Sequence, residues 1–372
     1  MKILIVTMQE FNSENDNGVS KIVGNIKNEL KNTHEIDFKF VQKQGLLRKL
    51  FRLLLYPFFG SGGILEWISW SDMPQFVKDL EDEKYQYDVI HLVGSPFSIL
   101  WKELSLTLRS KAILQLVDNG MIHSKRHGNK NVFFKILKKL EFKKKYDVYK
   151  TLNDTEVVFV SRRDSLYFKF TTKNDALAIE NGVSEHVSIN RRFDEATLYD
   201  SKLVFHGDLT YKPNIEALEL LSGLDVKNIN CIGRYSEAAS KRYKNLIFRG
   251  FVDDLIGELA KFDIYVCPIF SGAGIKNKIL EAALVGLPII ATKEATIGTG
   301  FKDGVHYVRA ESLEDFNCKI ATLNHSSTLR KNLSENAKDY ILSHLTWPVA
   351  ARKYERLYRM KYADSDTTSL RD

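Results

Sequence analysis

One short stretch of the chain combines glycines and lysines at a spacing that suits phosphate binding. It covers residues 262–292 and reads FDIYVCPIFSGAGIKNKILEAALVGLPIIAT. Gly272 and Gly274 follow an apolar run of strand length, and Lys276 and Lys278 stand where apolar residues at helical spacing begin. Glycines let a ligand approach the backbone, and the first N–H groups of a helix have no partner within it. The pattern indicates an anion site at this turn, and an ordinary solvated first helical turn is the alternative.

The turn lies between two elements that would position it. Residues 264–267 have the length of a buried strand, and residues 276–285 carry apolar side chains at helical spacing. Gly286 and Pro288 end that helix before a second apolar run. The sequence therefore predicts a βαβ unit whose turn lies at the carboxyl end of the first strand and the amino end of the helix.

Three further segments precede this unit: LVFHGDLTYKPNIEAL at 203–218, INCIGR at 229–234 and NLIFRGFVDDLIGELAKFD at 245–263. In this order, together with the βαβ unit, they resemble the donor-binding region of GT-B glycosyltransferases, in particular glycosyltransferase family 4. The resemblance implies two Rossmann-like α/β domains that face each other across a cleft, with a C-terminal helix that crosses back to the N-terminal domain. It also implies transfer of a sugar from a nucleotide-diphosphate donor with retention of configuration.

The resemblance also implies which residues would form a donor site. In the family, the Glu of the helix after the glycine turn binds the ribose hydroxyls of the donor, and Glu281 occupies that place. Lys276 and Lys278 would stabilise the leaving diphosphate and are assigned as catalytic on this ground. The other implied donor-binding residues lie in glycine-containing loops: Gly18, Gly207, Lys212, Asn214, Gly233, Arg234, Gly272, Ala273, Gly274 and Ile275.

Ala273 is a departure from the family pattern. Many members carry a second Glu eight positions before the ribose-binding one, and here that position is Ala273. A subset of the family has a Gly-Ala-Gly-Ile-Lys-x-Lys run much like this one, so we interpret the alanine as a subgroup feature. The alternative is a catalytically weak, membrane-associated subunit that keeps a GT-B shell in order to bind a partner glycosyltransferase. A sugar-nucleotide epimerase or phosphorylase of the same fold is a further alternative.

The first half of the chain alternates apolar runs of strand length with helical patterns. This alternation predicts a mostly parallel sheet, which binds ligands at the carboxyl ends of its strands. Gly18 follows the first strand and resembles the family's glycine loop, and a plain helix start is the alternative. The predicted strands are 2–7, 35–41, 89–93, 112–117, 157–160 and 176–180.

Asp118 directly follows the predicted strand 112–117. Several family members have a polar residue at this point that approaches the donor sugar, so the resemblance implies Asp118 as the candidate catalytic residue of the first half. An Asp at the end of a strand also serves as a helix cap or turn residue, because its oxygens accept hydrogen bonds from nearby N–H groups. Both interpretations stay open from the sequence.

Length and composition agree with two α/β domains. The chain has 372 residues, of which 44% are hydrophobic, enough for two cores of ordinary size. We predict an N-terminal acceptor domain over 1–186, a C-terminal nucleotide-sugar donor domain over 187–345, and a crossover helix and tail over 346–372. The three cysteines are widely spaced and form no C-x-x-C pair, so no metal site is predicted.

Positive charge is concentrated in the first half. Residues 124–150 carry a net charge of +8, against +7 for the whole chain, and aromatic and aliphatic residues are interleaved with the lysines. Residues 45–59 place three basic residues opposite a leucine-rich face. Both segments suit amphipathic helices at an anionic membrane surface, with a solvated basic helix as the alternative. No zinc-finger or RNA-recognition pattern is present, so nucleic acid is not an expected partner.

These patterns and the resemblance lead to one functional hypothesis. We predict a retaining glycosyltransferase that passes a sugar to a hydroxyl of a glycan, in particular a lipid-linked oligosaccharide, in the synthesis of a bacterial surface polysaccharide such as lipopolysaccharide or capsule. No cofactor and no obligatory metal are expected. No run approaches the roughly 20 apolar residues of a spanning helix, so we expect a cytoplasmic protein, peripheral at the inner face of the cytoplasmic membrane.

Overall fold

Two compact units make up the chain in the computed structural model, which describes residues 1–7, 18–41, 73–122, 132–184 and 201–369. The first unit comprises Met1–Glu180 together with Ala350–Asp372, and the second comprises Asn181–Val349. Each unit contains a sheet with six parallel strands among the described residues. The predicted α/β class is therefore confirmed, while the predicted domain borders after residues 186 and 345 stay predictions.

The sheet of the first unit follows the predicted strands closely. Its strands are β1 (Lys2–Thr7), β2 (Glu35–Phe40), β3 (Val89–Val93), β4 (Ala112–Val117), β5 (Glu156–Phe159) and β6 (Leu177–Ala178). They lie in the order β2-β1-β3-β4-β5-β6. β3 is buried along its whole length, as a central parallel strand covered on both faces requires.

Helices connect these strands. They are α1 (Gly18–Leu30), α2 (Met73–Glu83), α3 (Phe97–Leu100), α4 (Leu106–Lys111), α5 (Val132–Lys150) and α6 (Arg162–Thr172). Serines start two of them: the hydroxyl of Ser105 accepts a hydrogen bond from the Leu108 N–H, and that of Ser161 from the Asp164 N–H. Trp101 is completely buried and lies in the apolar core against this sheet.

The second unit has the strand order of a dinucleotide-binding domain. Its strands are β7 (Leu203–His206), β8 (Ile229–Ile232), β9 (Leu246–Gly250), β10 (Ile264–Cys267), β11 (Ile289–Ala291) and β12 (Val308–Arg309). They lie in the order β9-β8-β7-β10-β11-β12, so the chain reverses its direction across the sheet between β7 and β10. In open α/β sheets ligands bind at such a switch point, outside the carboxyl ends of the strands.

Helices also connect the strands of the second unit. They are α7 (Lys212–Ser222), α8 (Glu237–Arg242), α9 (Leu255–Leu259), α10 (Asn277–Val285), α11 (Leu313–Asn324) and α12 (Ser327–His344). α10 stops at Gly286, whose φ of 76° is left-handed. Its residues Ile279, Leu280 and Ala283 are fully buried, so the helix is anchored to the sheet just beyond its first turn.

The last helix, α13 (Trp347–Ser369), packs on the first unit. The Nδ1 atom of His91 on β3 lies 2.8 Å from the hydroxyl of Tyr358, and the Gln115 amide donates a 2.8 Å hydrogen bond to the hydroxyl of Tyr354. All four side chains are buried. The predicted C-terminal helix that returns to the N-terminal unit is therefore confirmed.

The basic segments are only partly described. Residues 45–59 and 124–131 lie outside the described ranges. In α5, Lys139 and Lys143 are exposed, and Leu140 beside them is 48% exposed. Within the described part of the chain, no helix is long and apolar enough to cross a membrane.

Candidate functional site

Three loops of the second unit meet at one edge of its sheet. They follow β8, β7 and β10, which are neighbours in the sheet, and they contain Gly233, Gly207 and Gly272 respectively. The loop after β10 continues directly into α10. Because all these strands are parallel, their carboxyl ends lie at the same edge, and the β7/β10 switch point lies among them. The structure thus brings together the predicted residues of the second half.

The first two loops are in direct backbone contact. Gly207 has φ 140° and Gly233 has φ 123°, a region that residues with a Cβ rarely adopt. A Cβ on Gly233 would lie 2.0 Å from the carbonyl oxygen of Gly207, and one on Gly207 would lie 2.7 Å from the Nζ atom of Lys278. Both positions therefore require glycine. At Gly207, the ammonium of Lys278 lies close to the backbone of the loop after β7.

Lys278 is the cation where α10 meets the loop after β7. It is the second residue of α10, and its Nζ donates a 2.6 Å hydrogen bond to the Oδ1 atom of Asn214. The same Nζ lies 4.4 Å from the centroid of the Phe205 ring, within cation–π range. Burial lowers the pKa of the Lys278 ammonium to about 8. An anion bound here would compensate both this desolvation and the adverse helix dipole.

Asn214 holds Lys278 rather than facing solvent. Its side chain is only 6% exposed. Its Nδ2 donates a 2.6 Å hydrogen bond to the carbonyl oxygen of Asp208, while its Oδ1 accepts the bond from Lys278. Asn214 therefore ties the helix lysine to the loop after β7. The sequence indicated Asn214 as a donor contact, and that role stays a prediction; the observed hydrogen bonds show that Asn214 also supports the lysine.

Lys276 adopts a different arrangement from Lys278. It is the residue just before α10, and its Nζ donates to the carbonyl oxygens of Ala273 at 3.0 Å and Gly274 at 3.3 Å. The ammonium thereby lies over its own glycine loop. Ala273 and Ile275 are buried, so they contribute backbone and packing at this point rather than exposed side chains. Two lysine ammoniums and the N-terminus of α10 thus give the loop a net positive field.

An exposed ion pair lies at the rim of this edge. The Nη2 atom of Arg234 donates a 2.7 Å hydrogen bond to Oδ2 of Asp208, and the Arg234 side chain is 74% exposed. Burial raises the pKa of Asp208, but the hydrogen bonds from Arg234 and Thr210 outweigh burial, so the net pKa lies below its ordinary value. Lys212 is also exposed and lies 3.9 Å from Glu216. The sequence indicated Arg234 and Lys212 but missed Asp208.

Glu281 is paired with a histidine that the sequence did not single out. The Nε2 atom of His206, the last residue of β7, lies 2.8 Å from Oε2 of Glu281 on α10. The side chain of His206 is 4% exposed and that of Glu281 is 16% exposed. The His206 ring also contacts the ring of Tyr265, with centroids 5.4 Å apart. The sequence signal that could have indicated His206 is its position directly before Gly207.

The candidates of the first half lie in the first unit. Gly18 begins α1, and a Cβ there would meet nothing within 4 Å. Asp118 follows Val117, whose φ of 63° is unfavourable for a β-branched residue. Next to it, the buried Asn119 accepts a hydrogen bond from the Met121 N–H and donates one to the Asp164 carbonyl. The strained Val117 and the fixed Asn119 hold Asp118 in a defined loop.

The sequence comparisons identify glycosyltransferases. Residues 200–325 match the family model described as glycosyl transferases group 1, a segment that contains all the loops above. A stretch of 225 residues is 24% identical to an uncharacterized glycosyltransferase of Methanocaldococcus jannaschii. That alignment spans 54% of this chain and 57% of the relative, so the chain spans little more than half the length of this curated protein.

Solved structures resemble the chain over nearly its whole length. HepE from Anabaena in complex with UDP and glucose has a TM-score of 0.68 at 14% identity, with 97% of this chain and 100% of that chain covered. Sucrose-phosphate synthase from Thermosynechococcus elongatus has a TM-score of 0.73 at 15% identity, with 97% and 99% covered. WaaG, a glycosyltransferase involved in lipopolysaccharide biosynthesis, has a TM-score of 0.64 at 12% identity, with 94% and 98% covered.

These likenesses establish the fold. The chain has the two-domain α/β GT-B fold, and this prediction is confirmed. The group 1 match agrees with the predicted enzyme class over the second unit. Membership of glycosyltransferase family 4 in particular stays a prediction, as do the roles of the individual site residues.

Proposed function

We propose that this chain is a retaining glycosyltransferase that takes a sugar from a nucleotide-diphosphate donor. The observation that carries the proposal is the junction of the three glycine loops, where Lys278 and Glu281 project from one helix at the switch point of a dinucleotide-type sheet. The junction lies within the segment that matches glycosyl transferases group 1. The position of this chemistry, and not the fold alone, argues for donor binding.

The proposed donor lies across α10. Its diphosphate meets the N-terminus of this helix, where Lys276 and Lys278 add positive charge. Its ribose hydroxyls meet the carboxylate of Glu281, one turn further along the same helix. HepE was solved with UDP and with UDP-glucose, which supports a nucleoside diphosphate sugar as the class of donor. The group 1 match at 200–325 supports placing this donor in the second unit.

The chemical step of the proposal is departure of a nucleoside diphosphate from the anomeric carbon. Negative charge develops on the leaving diphosphate in the transition state, and cations and helix N–H groups placed there in advance stabilise it. Lys278, already fixed by Asn214, supplies such a charge without reorganisation. The acceptor hydroxyl forms its bond to the anomeric carbon on the face from which the diphosphate leaves, so the configuration is retained, and the hydroxyl proton goes to the released diphosphate. Asp118 is the proposed catalytic residue of the first unit, and no metal or cofactor enters the proposed step.

The proposed acceptor is a hydroxyl of a lipid-linked glycan at the inner face of a bacterial cytoplasmic membrane. The supporting observation is the outer face of α5, where Lys139 and Lys143 are exposed beside the half-exposed Leu140. Basic residues near an anionic leaflet contribute on the order of 1 kcal/mol each. WaaG, which shares the fold, acts in lipopolysaccharide biosynthesis. The proposed product is a bacterial surface polysaccharide such as lipopolysaccharide or capsule.

The first experiment is thermal stabilisation by UDP, GDP, CMP, ADP and dTDP. A ligand that binds only the folded chain raises its stability as RT ln(1 + [L]/Kd). We expect a selective shift that is lost in Glu281→Ala and kept in Glu237→Ala, which removes an exposed carboxylate of the same unit. A chain that no nucleotide stabilises contradicts the proposal.

A second measurement separates the enzyme from a binding subunit. The motivation for the subunit is Ala273, which stands where many related enzymes carry a Glu. Purified chain is incubated with the sugar nucleotide whose base gave the largest shift, and release of the free nucleoside diphosphate is followed. Release that is reduced in Lys278→Ala supports the transferase. Binding without any release, with and without lipid-linked acceptors, favours the catalytically weak subunit.

A further inference from the structure

We propose that His206 is a positioning residue that orients the carboxylate of Glu281 and thereby sets the preference of the site for ribose over deoxyribose. This inference deepens the proposed donor site and rests on it. It concerns a residue that acts through Glu281 and not on the reacting atoms. The ligand class is a nucleoside diphosphate, and the group recognised is the vicinal diol of its ribose.

The first argument is the contact itself. The Nε2 atom of His206 and the Oε2 atom of Glu281 are 2.8 Å apart, although the residues are 75 positions apart in the chain. The histidine comes from the end of a central strand and the glutamate from the adjacent helix α10. Both backbones are therefore held by regular structure, and the hydrogen bond joins two elements that cannot easily drift apart.

The second argument is the environment of the pair. His206 is almost completely buried, and its ring is bordered by the ring of Tyr265 at 5.4 Å with an angle of 58° between the planes. A partly buried carboxylate such as that of Glu281 requires hydrogen-bonded partners, because desolvation is costly when the charge is not compensated. The imidazole meets this requirement for one oxygen of Glu281. A carboxylate has about four lone-pair positions, so the same group accepts bonds from ribose hydroxyls as well.

The third argument is conformational. A glutamate side chain has several rotamers, and fixing one of them costs entropy when a ligand binds. The bond from His206 selects one rotamer before the ligand arrives. A site built to accept hydrogen bonds from particular hydroxyls rejects analogues that lack them, because its polar atoms are then left unpaired. Loss of the imidazole should therefore weaken the discrimination more than the overall binding.

The end of β7 lies next to both groups that recognise the proposed ligand. His206 directly precedes Gly207, where an added Cβ would lie 2.7 Å from the Nζ atom of Lys278. The strand end that orients the ribose-binding carboxylate is thus the same strand end that contacts the diphosphate-binding lysine. α10 sets the distance between the two recognition points, because it carries both Lys278 and Glu281.

The test compares ribonucleotides with their 2′-deoxy counterparts by calorimetry. The probes are the pairs UDP and 2′-deoxy-UDP, ADP and 2′-deoxy-ADP, and GDP and 2′-deoxy-GDP. For the best pair, wild type should prefer the ribonucleotide, and Glu281→Ala should abolish the preference. His206→Phe should reduce the preference for the ribonucleotide by roughly tenfold, the lower end of the effect of a hydrogen bond to a charged group, while affinity for the deoxynucleotide changes little. His206→Gln, which keeps a hydrogen-bond donor, should retain part of the preference for the ribonucleotide.

Two controls separate positioning from a general structural effect. His306→Phe replaces another buried histidine of the same unit, one that accepts a bond from the Lys302 N–H, and it should leave the ratio unchanged. In the Glu281→Ala background, His206→Phe should have no further effect on the ratio. This double-mutant cycle remains informative even if His206→Phe lowers the melting temperature.

The outcomes distinguish this inference from the proposed function. If wild type binds none of the pairs, the donor site itself is wrong and the inference falls with it. If wild type discriminates and both His206 variants discriminate equally well, only the role of His206 is overturned. If His206→Phe weakens ribo- and deoxyribonucleotides by the same factor, the residue merely supports the fold, and the positioning role is again rejected.

Discussion

The ammonium of Lys278 donates a hydrogen bond of 2.6 Å to the side-chain oxygen of Asn214. Because Asn214 is bonded in turn to the backbone of Asp208, the cation is fixed at the N-terminus of α10 before any ligand is present. A cation in this place is opposed by the helix dipole and by burial. The neutral amide offsets part of this cost without cancelling the charge, which stays available to an anion.

Nucleotide affinity should depend on the protonation of Lys278. Its pKa is lowered to about 8, so the ammonium is present below pH 8 and is lost as the pH rises through it. A terminal phosphate is already ionised above pH of about 7. We expect the affinity for the preferred nucleoside diphosphate to fall by about tenfold per pH unit above pH 8. Calorimetry between pH 7 and 10 measures this, and Lys278→Arg, which stays charged, should give a flat profile.

Asn214 should control the pH at which the nucleotide affinity begins to fall. In Asn214→Asp, a carboxylate 2.6 Å from the ammonium favours its charged form, so the fall should move to higher pH while affinity at pH 7 decreases. In Asn214→Leu the acceptor is absent, so the fall should begin at lower pH. Identical pH profiles for both variants and wild type would show that Asn214 does not support Lys278.

Gly233 should be intolerant of a side chain. Alanine at this position combines a φ of 123° with a Cβ 2.0 Å from the carbonyl oxygen of Gly207, a backbone atom held by the sheet. We expect Gly233→Ala to lower the free energy of unfolding by about 2 kcal/mol or more. Gly18→Ala is the matched control, since a Cβ there meets no atom within 4 Å. Denaturant unfolding compares the two, and equal stabilities would contradict the observed packing of the loops.

Acid should loosen the contact between α13 and β3 through His91. Burial lowers the pKa of His91 to about 3, whereas an unfolded histidine has a pKa of about 6.5. Below pH 6.5 the unfolded chain therefore binds a proton that the folded unit excludes, and stability falls with pH. The loss from this residue should be about 2 kcal/mol between pH 6.5 and 5.

Hydrogen exchange at the β3 amides measures this loss. In His91→Gln, the protection of the β3 amides should depend less on pH between pH 6.5 and 5. At pH 7.5 these amides should be less protected in the variant than in wild type, because the bond to Tyr358 is changed. An unchanged acid dependence in His91→Gln would assign the effect to other groups.

Local sequence patterns were sufficient to predict most of the strands and the position of the glycine turn. The strands 2–7, 89–93 and 112–117 were predicted with the bounds that the structure has, and the helix predicted from Lys276 begins at Asn277. Apolar runs and glycine or proline breaks act over a few residues, so they can be interpreted without the fold. The edge strand was less clear: β6 covers only Leu177–Ala178 of the predicted 176–180.

The sequence by itself determined which loops carry the candidate chemistry, and the tertiary structure decided which side chains meet. Lys278 and Asn214 are 64 positions apart, Glu281 and His206 75, and Arg234 and Asp208 26. These pairs form because the sheet order places β8, β7 and β10 side by side. That order depends on which hydrophobic faces pack together over the whole unit, and no local pattern contains this information.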